Sequence, residues 1–485
     1  LHLLDYNGIL SIIGIPLSST PSALLSDEGY LQKASSYMSA LIIQGINHPS
    51  IMGWTVGNNL IIRDKDVQKY IKNMKEGIDK LDSRPLFVTT LMSDEIWDNP
   101  LPVITLLHIT EKSLNDSFKS LKFKGLDTSP PYPVILEFGA ASSAVEDNKA
   151  SDIQALKLSK FIEFVDGDER FAGWIVRSFS DWTGQLPHLY SFDPVSPFLS
   201  TDGITTLERK EKISYRLIKN LIEGKKDELS LKGSHAAEMD YVFLLWGIFI
   251  VLLFTLFFKT SEEFRNLSAK VVFSSKHLFR EIEEDRIFSF RPVVISMLLS
   301  SGSLGLSIAQ IISVLRGSIF FDYLITIIFP SPAHKLVIVK IFSSNISLIL
   351  FSTLLTLLIL SGLTLYFKVY SKIIKRGISF KKIARYIGIP STVFLALIPL
   401  SIIVYKQTVI QSFYWLQWSF TVILLLIYLG LLYSGYKIIF SPRSPFELLI
   451  PPGVLIITAF LILSYLQILR LYVDHLRFAL KLWGY

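Results

Sequence analysis

The sequence predicts an α/β domain, a partial (β/α)8 barrel, followed by an all-α transmembrane helix bundle. Three observations predict it. Short β-branched runs alternate with amphipathic stretches over residues 1–224, and long apolar runs dominate from Tyr241 onward. Charged residues make up only 18% of the 485-residue chain while 50% is hydrophobic, whereas soluble chains carry about a quarter charged residues. The change is abrupt, so the chain divides into a barrel domain at 1–224, a linker at 225–240 and a membrane domain at 241–485.

In the first part, Ile9–Ile15, Ile51–Val56, Leu86–Thr90, Val103–His108, Val134–Phe138 and Phe171–Phe179 read as strands. Between them Tyr30–Gly45, Val67–Leu81 and Ile153–Val165 have helical periodicity. Strands that alternate with helices imply a parallel sheet with crossover helices. Six such strands suit a (β/α)8 barrel, whose active sites lie at the carboxyl ends of the strands.

In the second part, a hydrocarbon core about 30 Å thick needs roughly 20 apolar residues in a helix. Six segments meet or approach that length: Tyr241–Phe258, Pro292–Leu315, Ile341–Phe367, Ile387–Tyr405, Phe420–Phe440 and Ile450–Tyr472. A shorter stretch, Phe320–Pro330, contains Asp322 and ends in Pro-Ser-Pro, and is expected as an interfacial or re-entrant piece. The loops Lys368–Arg385 and Lys259–Arg291 are rich in Lys and Arg, which marks them as cytoplasmic and puts residues 1–240 outside the cytoplasm. Aromatic residues at Phe413, Tyr414, Trp415 and Trp418 suit the opposite interface. No ionisable residue falls in the middle of a span. Gln310 and Asn345 are the most polar groups at depth and are expected to hydrogen-bond between helices. The run Ser300–Ser303 with Gly305 predicts close helix packing, so the bundle reads as an anchor or interaction module.

The chain has no cysteine, which excludes disulfides, thiolate metal sites and a thiol nucleophile. Its net charge of +7 is concentrated in loops between apolar segments, so the expected partner is the lipid bilayer and no nucleic acid. No residues have metal-ligand spacing and no Gly-rich phosphate loop occurs; no metal and no cofactor are expected. The chain begins at Leu1 with no signal-peptide pattern, and a missing amino-terminal part is expected.

Several motifs are more specific. Asn47–Asn59 (NHPSIMGWTVGNN) resembles the strand-4 signature of family 2 glycoside hydrolases, the β-galactosidase and β-glucuronidase type, where a similar string ends in Asn-Glu. Pro133–Ala140 (PVILEFGA) resembles the family's strand-7 segment that carries the nucleophile. Asp5–Leu17, Leu81–Thr90, Gly173–Trp182 and Asp202–Lys219 resemble strand 3, the approach to strand 5, strand 8 and the last barrel helix. The pieces keep the family's order and cover nearly all of residues 1–224, from strand 3 to strand 8. Strands 1 and 2 and the family's amino-terminal β-sandwich domains are absent, and a barrel lacking two strands would expose sheet edges.

Retaining glycosidases use two carboxyl groups about 5–5.5 Å apart. The resemblance puts Glu137 at the nucleophile position and Asn59 at the acid/base position, where an amide can neither donate a proton at neutral pH nor act as a base. Asn58 matches the family asparagine implied to bind the sugar's 2-hydroxyl. Arg177 stands where the family pattern has Trp, Gly14 where an acid is often seen, and Leu107 and Ile109 near its Asn and Tyr. Arg177, Trp182 and His108 complete the candidate substrate-binding set. The plainer alternative for Glu137 is a carboxylate held by Arg177 or another cation for packing. Asp94 and Glu95 could supply a substitute acid, though a solvated loop pair is the plainer reading. His48 reads as part of a structural turn, His108 as either a pocket residue or a satisfied barrel histidine. Trp54, Trp174 and Trp182 read as core or as a sugar-stacking platform.

The expected function is therefore that of a membrane-anchored, glycosidase-like protein with an outward-facing, degenerate barrel that binds carbohydrate or a protein partner. One alternative is an active retaining glycosidase with Glu137 as nucleophile and an unconventional acid/base. Another makes the membrane bundle the working part and the barrel its sensor.

Overall fold

The structure is a computed structural model, and it describes the chain except residues 18–19, 63, 92–102, 110–132, 141–147, 170, 190–195, 226–240, 287–288, 317–318, 407–411 and 441–485. The described residues fall into two compact units. The first holds the described residues of Leu1–His235 and Gly317–Leu336; the second holds those of Ala236–Arg316 and Val337–Leu466.

The first unit is built on a six-stranded parallel sheet: β1 (Ser11–Gly14), β2 (Ile51–Thr55), β3 (Leu86–Leu91), β4 (Ile104–Ile109), β5 (Val134–Phe138) and β6 (Gly173–Val176). Each strand lies beside its neighbours in sequence, so the order is β1-β2-β3-β4-β5-β6. This is the expected partial α/β barrel wall. Helices α1 (His2–Asn7), α2 (Glu28–Gly45), α3 (Lys65–Ile78), α4 (Asn148–Asp166) and α5 (Ile213–Ile222) accompany it. Helix α3 shows why these segments cross over. Val67, Tyr70, Ile71, Met74 and Ile78 recur at helical spacing and are all buried, while Asp64 caps the first turn by accepting from the Asp66 N–H. One buried cluster joins α2, α3 and the β1–β3 side through Met38, Ile42, Trp54, Ile71 and Val88. A second joins β5, α4 and α5 through Leu136, Phe138, Leu158, Phe161 and Ile218.

A buried polar knot pins the last part of this unit. The Lys212 Nζ donates to Asp181 Oδ1 at 2.7 Å and to the carbonyls of Gly203 and Thr201. The Gln154 amide donates to Ala140 and Gly203 carbonyls and accepts from the Ser214 hydroxyl. Burial outweighs the Lys212 charge and raises the Asp181 carboxyl above its ordinary range.

The second unit is helical. Five of its helical segments are long and apolar enough to cross a membrane: Val242–Thr260, Arg291–Leu315, Asn345–Ile373, Phe380–Ile403 and Trp415–Ile439. The sixth expected span, Ile450–Tyr472, lies outside the described residues, as does nearly all of the expected linker. Leu245, Leu252, Leu256, Leu350, Leu354, Leu358 and Leu426 are exposed along these helices, as an apolar solvent would require. Gly305 is needed where it stands: a Cβ there would lie 2.6 Å from the Thr353 Cα, so the small-residue run does allow close packing. The Gln310 amide donates to the Ser401 carbonyl at 2.9 Å and accepts from Gln417 at 2.6 Å, the expected bond between helices. Asn345 instead opens the Asn345–Ile373 helix at its first turn. Asp285, from the acidic cluster of one basic loop, pairs with Lys382 and Arg385 of the other, each at 3.3 Å.

The stretch Phe320–Pro330, expected as an interfacial or re-entrant piece, supplies a helix, Ile319–Ile328, that groups with the first unit and buries Phe320 against Ile61. Phe321, Tyr323, Leu324 and Ile327 pack partly buried beside them, while Ile328 is exposed. We call this element the strap helix.

Candidate functional site

The strands and the turns that follow them carry the predicted site residues. Along β5, Val134, Leu136 and Phe138 are buried toward the helices, with the Phe138 ring 5.0 Å from that of Phe161. The strand period of two therefore turns Glu137 to the opposite, inner face. Register places His108 of β4 and Ile175 of β6 directly beside it. The His108 Nδ1 and Glu137 Oε1 are 4.0 Å apart, and both side chains are largely buried.

Burial acts on the two groups in opposite senses. It raises the Glu137 carboxyl, a push that the nearby Arg177 charge opposes and the Asp202 charge reinforces. It lowers the His108 imidazole to about 3, with Arg177 repelling a proton further. At neutral pH His108 is therefore neutral, and it is not a proton donor of useful strength.

Arg177 follows β6 and is held by its own N–H, which donates to the Phe138 carbonyl at 2.9 Å. Gly139 permits that approach, because a Cβ there would lie 2.5 Å from the Arg177 carbonyl oxygen. The expectation that Arg177 clamps Glu137 is replaced by a different pairing: its guanidinium Nε faces Asp202 Oδ2 at 3.6 Å. Asp202 is the organising acceptor of this side. Its Oδ1 also accepts from the Trp182 indole at 3.2 Å and from the Ser200 hydroxyl at 2.7 Å. The Trp182 ring meets the His188 ring edge-on at 6.1 Å.

Across the sheet, Asn58 and Asn59 follow β2. The Asn58 N–H donates to the Leu17 carbonyl at 2.7 Å and its side chain is exposed. Asn59 has a φ of 54°, a left-handed turn that asparagine tolerates better than most residues. Leu60 then closes the turn by donating to the Thr89 carbonyl at 3.0 Å. Leu107 is buried in the core.

The other candidates settle into structural places. Trp54 is fully buried, with its indole donating to Asp82 at 3.0 Å. Trp174 bonds Asp166 at the end of α4. Asp94 and Glu95 lie outside the described residues. His48 pairs with Asp5 at 2.5 Å, while the other Asp5 oxygen accepts from the Ser50 N–H. With His2 these residues form a group whose ligand atoms lie within 4.8 Å of one another. The mutual bonds of Asp5, His48 and Ser50 clamp α1 to the turn before β2.

Sequence reasoning did not single out Asp202, His188 or the role of Asp322. The only signal was Asp322 itself, a carboxylate inside an apolar stretch.

No protein-family model matches the chain, and no curated protein matches it. Solved structures that resemble it include a β-glucuronidase from Bifidobacterium dentium complexed with coumarin-3-O-glucuronide, at 15% identity and a TM-score of 0.39, covering 46% of this chain and 38% of that one. A β-glucuronidase from an uncultured Clostridium sp. has 18% identity and a TM-score of 0.39, over 46% and 42% of the two chains. A GH2 β-galacturonidase from Eisenbergiella tayi, bound to glycerol, has 18% identity and a TM-score of 0.36 over 46% and 42%. The chain thus spans less than half the length of these proteins.

Proposed function

We propose that this chain is a membrane-anchored, family 2 glycosidase-like protein whose barrel unit binds carbohydrate and has lost classical hydrolysis. The carrying observation is the chemistry around Glu137. A nucleophilic carboxylate must be ionised at working pH, yet burial raises Glu137. The second carboxyl of a retaining pair is an amide at Asn59, and the neighbouring imidazole is held neutral. What remains is a set of polar groups suited to hydrogen-bonding a neutral hydroxylated ligand, the Glu137 carboxyl, Asn58, Asn59 and Arg177, together with the ring face of Trp182.

The anchoring reading rests on the five long apolar helices. The orientation, with the barrel outside the cytoplasm, rests on the two basic loops, which Asp285 ties together within the helical unit.

Hydrolysis of a panel of aryl glycosides by the full-length protein in detergent tests the loss of activity, with and without azide. An activated aryl group needs little protonation, and azide replaces base-activated water. No turnover with either is expected. Turnover that disappears in Glu137→Gln would instead establish a working nucleophile and overturn the reading.

A further inference from the structure

We propose that Asp322, carried by the strap helix from between two apolar helices, is a positioning residue for the barrel unit's ligand-binding face. The proposal rests on the carbohydrate-binding reading above and adds the element that sets its aromatic surface. The Asp322 carboxylate is buried and fully engaged. Its Oδ1 accepts from the Leu189 N–H at 2.7 Å, and its Oδ2 faces the Lys335 Nζ at 3.1 Å and the His188 Nδ1 at 3.6 Å. Lys335 is itself buried, so the pair is removed from water. An ion pair in such a place is a weak source of net stability, but it is selective about geometry, because removing either partner strands the other charge.

The geometry leads toward the site. His188 packs edge-on against Trp182, whose indole bonds Asp202, the residue that holds the Arg177 guanidinium. On the other flank, Phe320 of the strap helix is buried against Ile61, two residues beyond Asn59. The strap helix thus reaches both margins of the candidate site: the β2 turn through Phe320, and the Trp182–His188 pair through Asp322. Trp182 presents an apolar ring with its one polar atom already bonded, the arrangement a sugar face stacks on. A Trp held on a strand of only two residues, Trp182–Thr183, needs outside support to keep its ring fixed. His188, held by Asp322, supplies that support.

A second reading of Asp322, as the missing acid/base, fails on its surroundings. Its hydrogen bonds and the Lys335 charge overcome the effect of burial and keep it ionised.

The test uses full-length protein in detergent, hydrogen exchange of residues 181–189 and binding to a glycan array. Three variants are compared with Trp182→Ala: Asp322→Asn, His188→Ala and the double variant Asp322→Leu/Lys335→Met. The double variant leaves no buried charge unpaired, so it retains the apolar seating if the single variant misfolds. Exchange at 181–189 is expected to rise about tenfold in the double variant and in His188→Ala, the loss of one buried hydrogen-bonded contact. Glycan binding should weaken about tenfold in both, while Trp182→Ala abolishes it. Unchanged exchange in the double variant overturns the proposal. Full binding by the double variant, with Trp182→Ala silent, also overturns it and leaves the carbohydrate reading standing. If the unmodified protein binds no glycan, the carbohydrate reading fails and exchange alone decides whether Asp322 fixes this face.

Discussion

Glu137 and His108 are direct neighbours on adjacent strands, 4.0 Å apart, and burial drives both toward their uncharged forms. The two shifts are opposite in sense: burial makes the carboxyl hold its proton more tightly and the imidazole hold its proton less tightly. Their contributions to stability therefore run oppositely with pH.

For Glu137 the folded pKa is raised above its ordinary 4.5. Its contribution to stability is fully present below that value and is lost as pH rises through the folded pKa. Glu137→Gln, which cannot ionise, should be more stable than the unmodified protein at pH 7, and the gain should shrink as pH falls toward the ordinary carboxyl range. Thermal unfolding of both proteins across that range checks it.

His108 has the reverse sign. With its pKa lowered from 6.5 to about 3, its contribution is present above pH 6.5 and fades as pH falls toward 3. His108→Asn should make the stability profile flatter across that window. Denaturant titrations at a series of pH values would detect it; an unchanged slope would mean that His108 protonates freely in the fold.

The Asp181–Lys212 pair offers a third test. Lys212→Met leaves a buried carboxylate alone and should cost about 3–5 kcal/mol. Asp181→Asn combined with Lys212→Met should recover much of that loss, since no charge is then stranded. A double-mutant cycle by chemical denaturation measures the coupling.

The orientation is testable because the chain contains no cysteine. Lys33→Cys, in α2, and Lys372→Cys, in the basic loop region, introduce single thiols at exposed positions. A membrane-impermeant maleimide applied to intact cells should label the first and reach the second only after permeabilisation. The opposite pattern would invert the proposed topology.

The sequence was most legible where one periodicity met one environment. Val134–Phe138 reads as a strand and is one, with Glu137 on the face its alternation assigns. At β1 the apolar run starts at Ile9, but only Ser11–Gly14 pair and Ile9 and Leu10 are exposed, since hydrophobicity marks preference and not pairing. Asp202 was hidden because its bonds to Arg177 and Trp182 link positions 20 or more residues apart, which no local pattern encodes. The Ile319–Ile328 helix was hidden for another reason. An apolar stretch has the same composition whether lipid or protein covers it, and the buried Asp322 was the clue that protein covers one side of this one.

That helix also sets a timetable. About a hundred residues separate the end of the first unit's main segment from Leu336, the last residue of the segment that joins it. At ordinary translation rates the ribosome needs ~5–20 s to make them. Throughout that interval Ile61 and the backbone of Leu189 await partners that have not yet been synthesised. Seating of the strap helix on this unit is thus a late event, possible only after two apolar helices have left the ribosome.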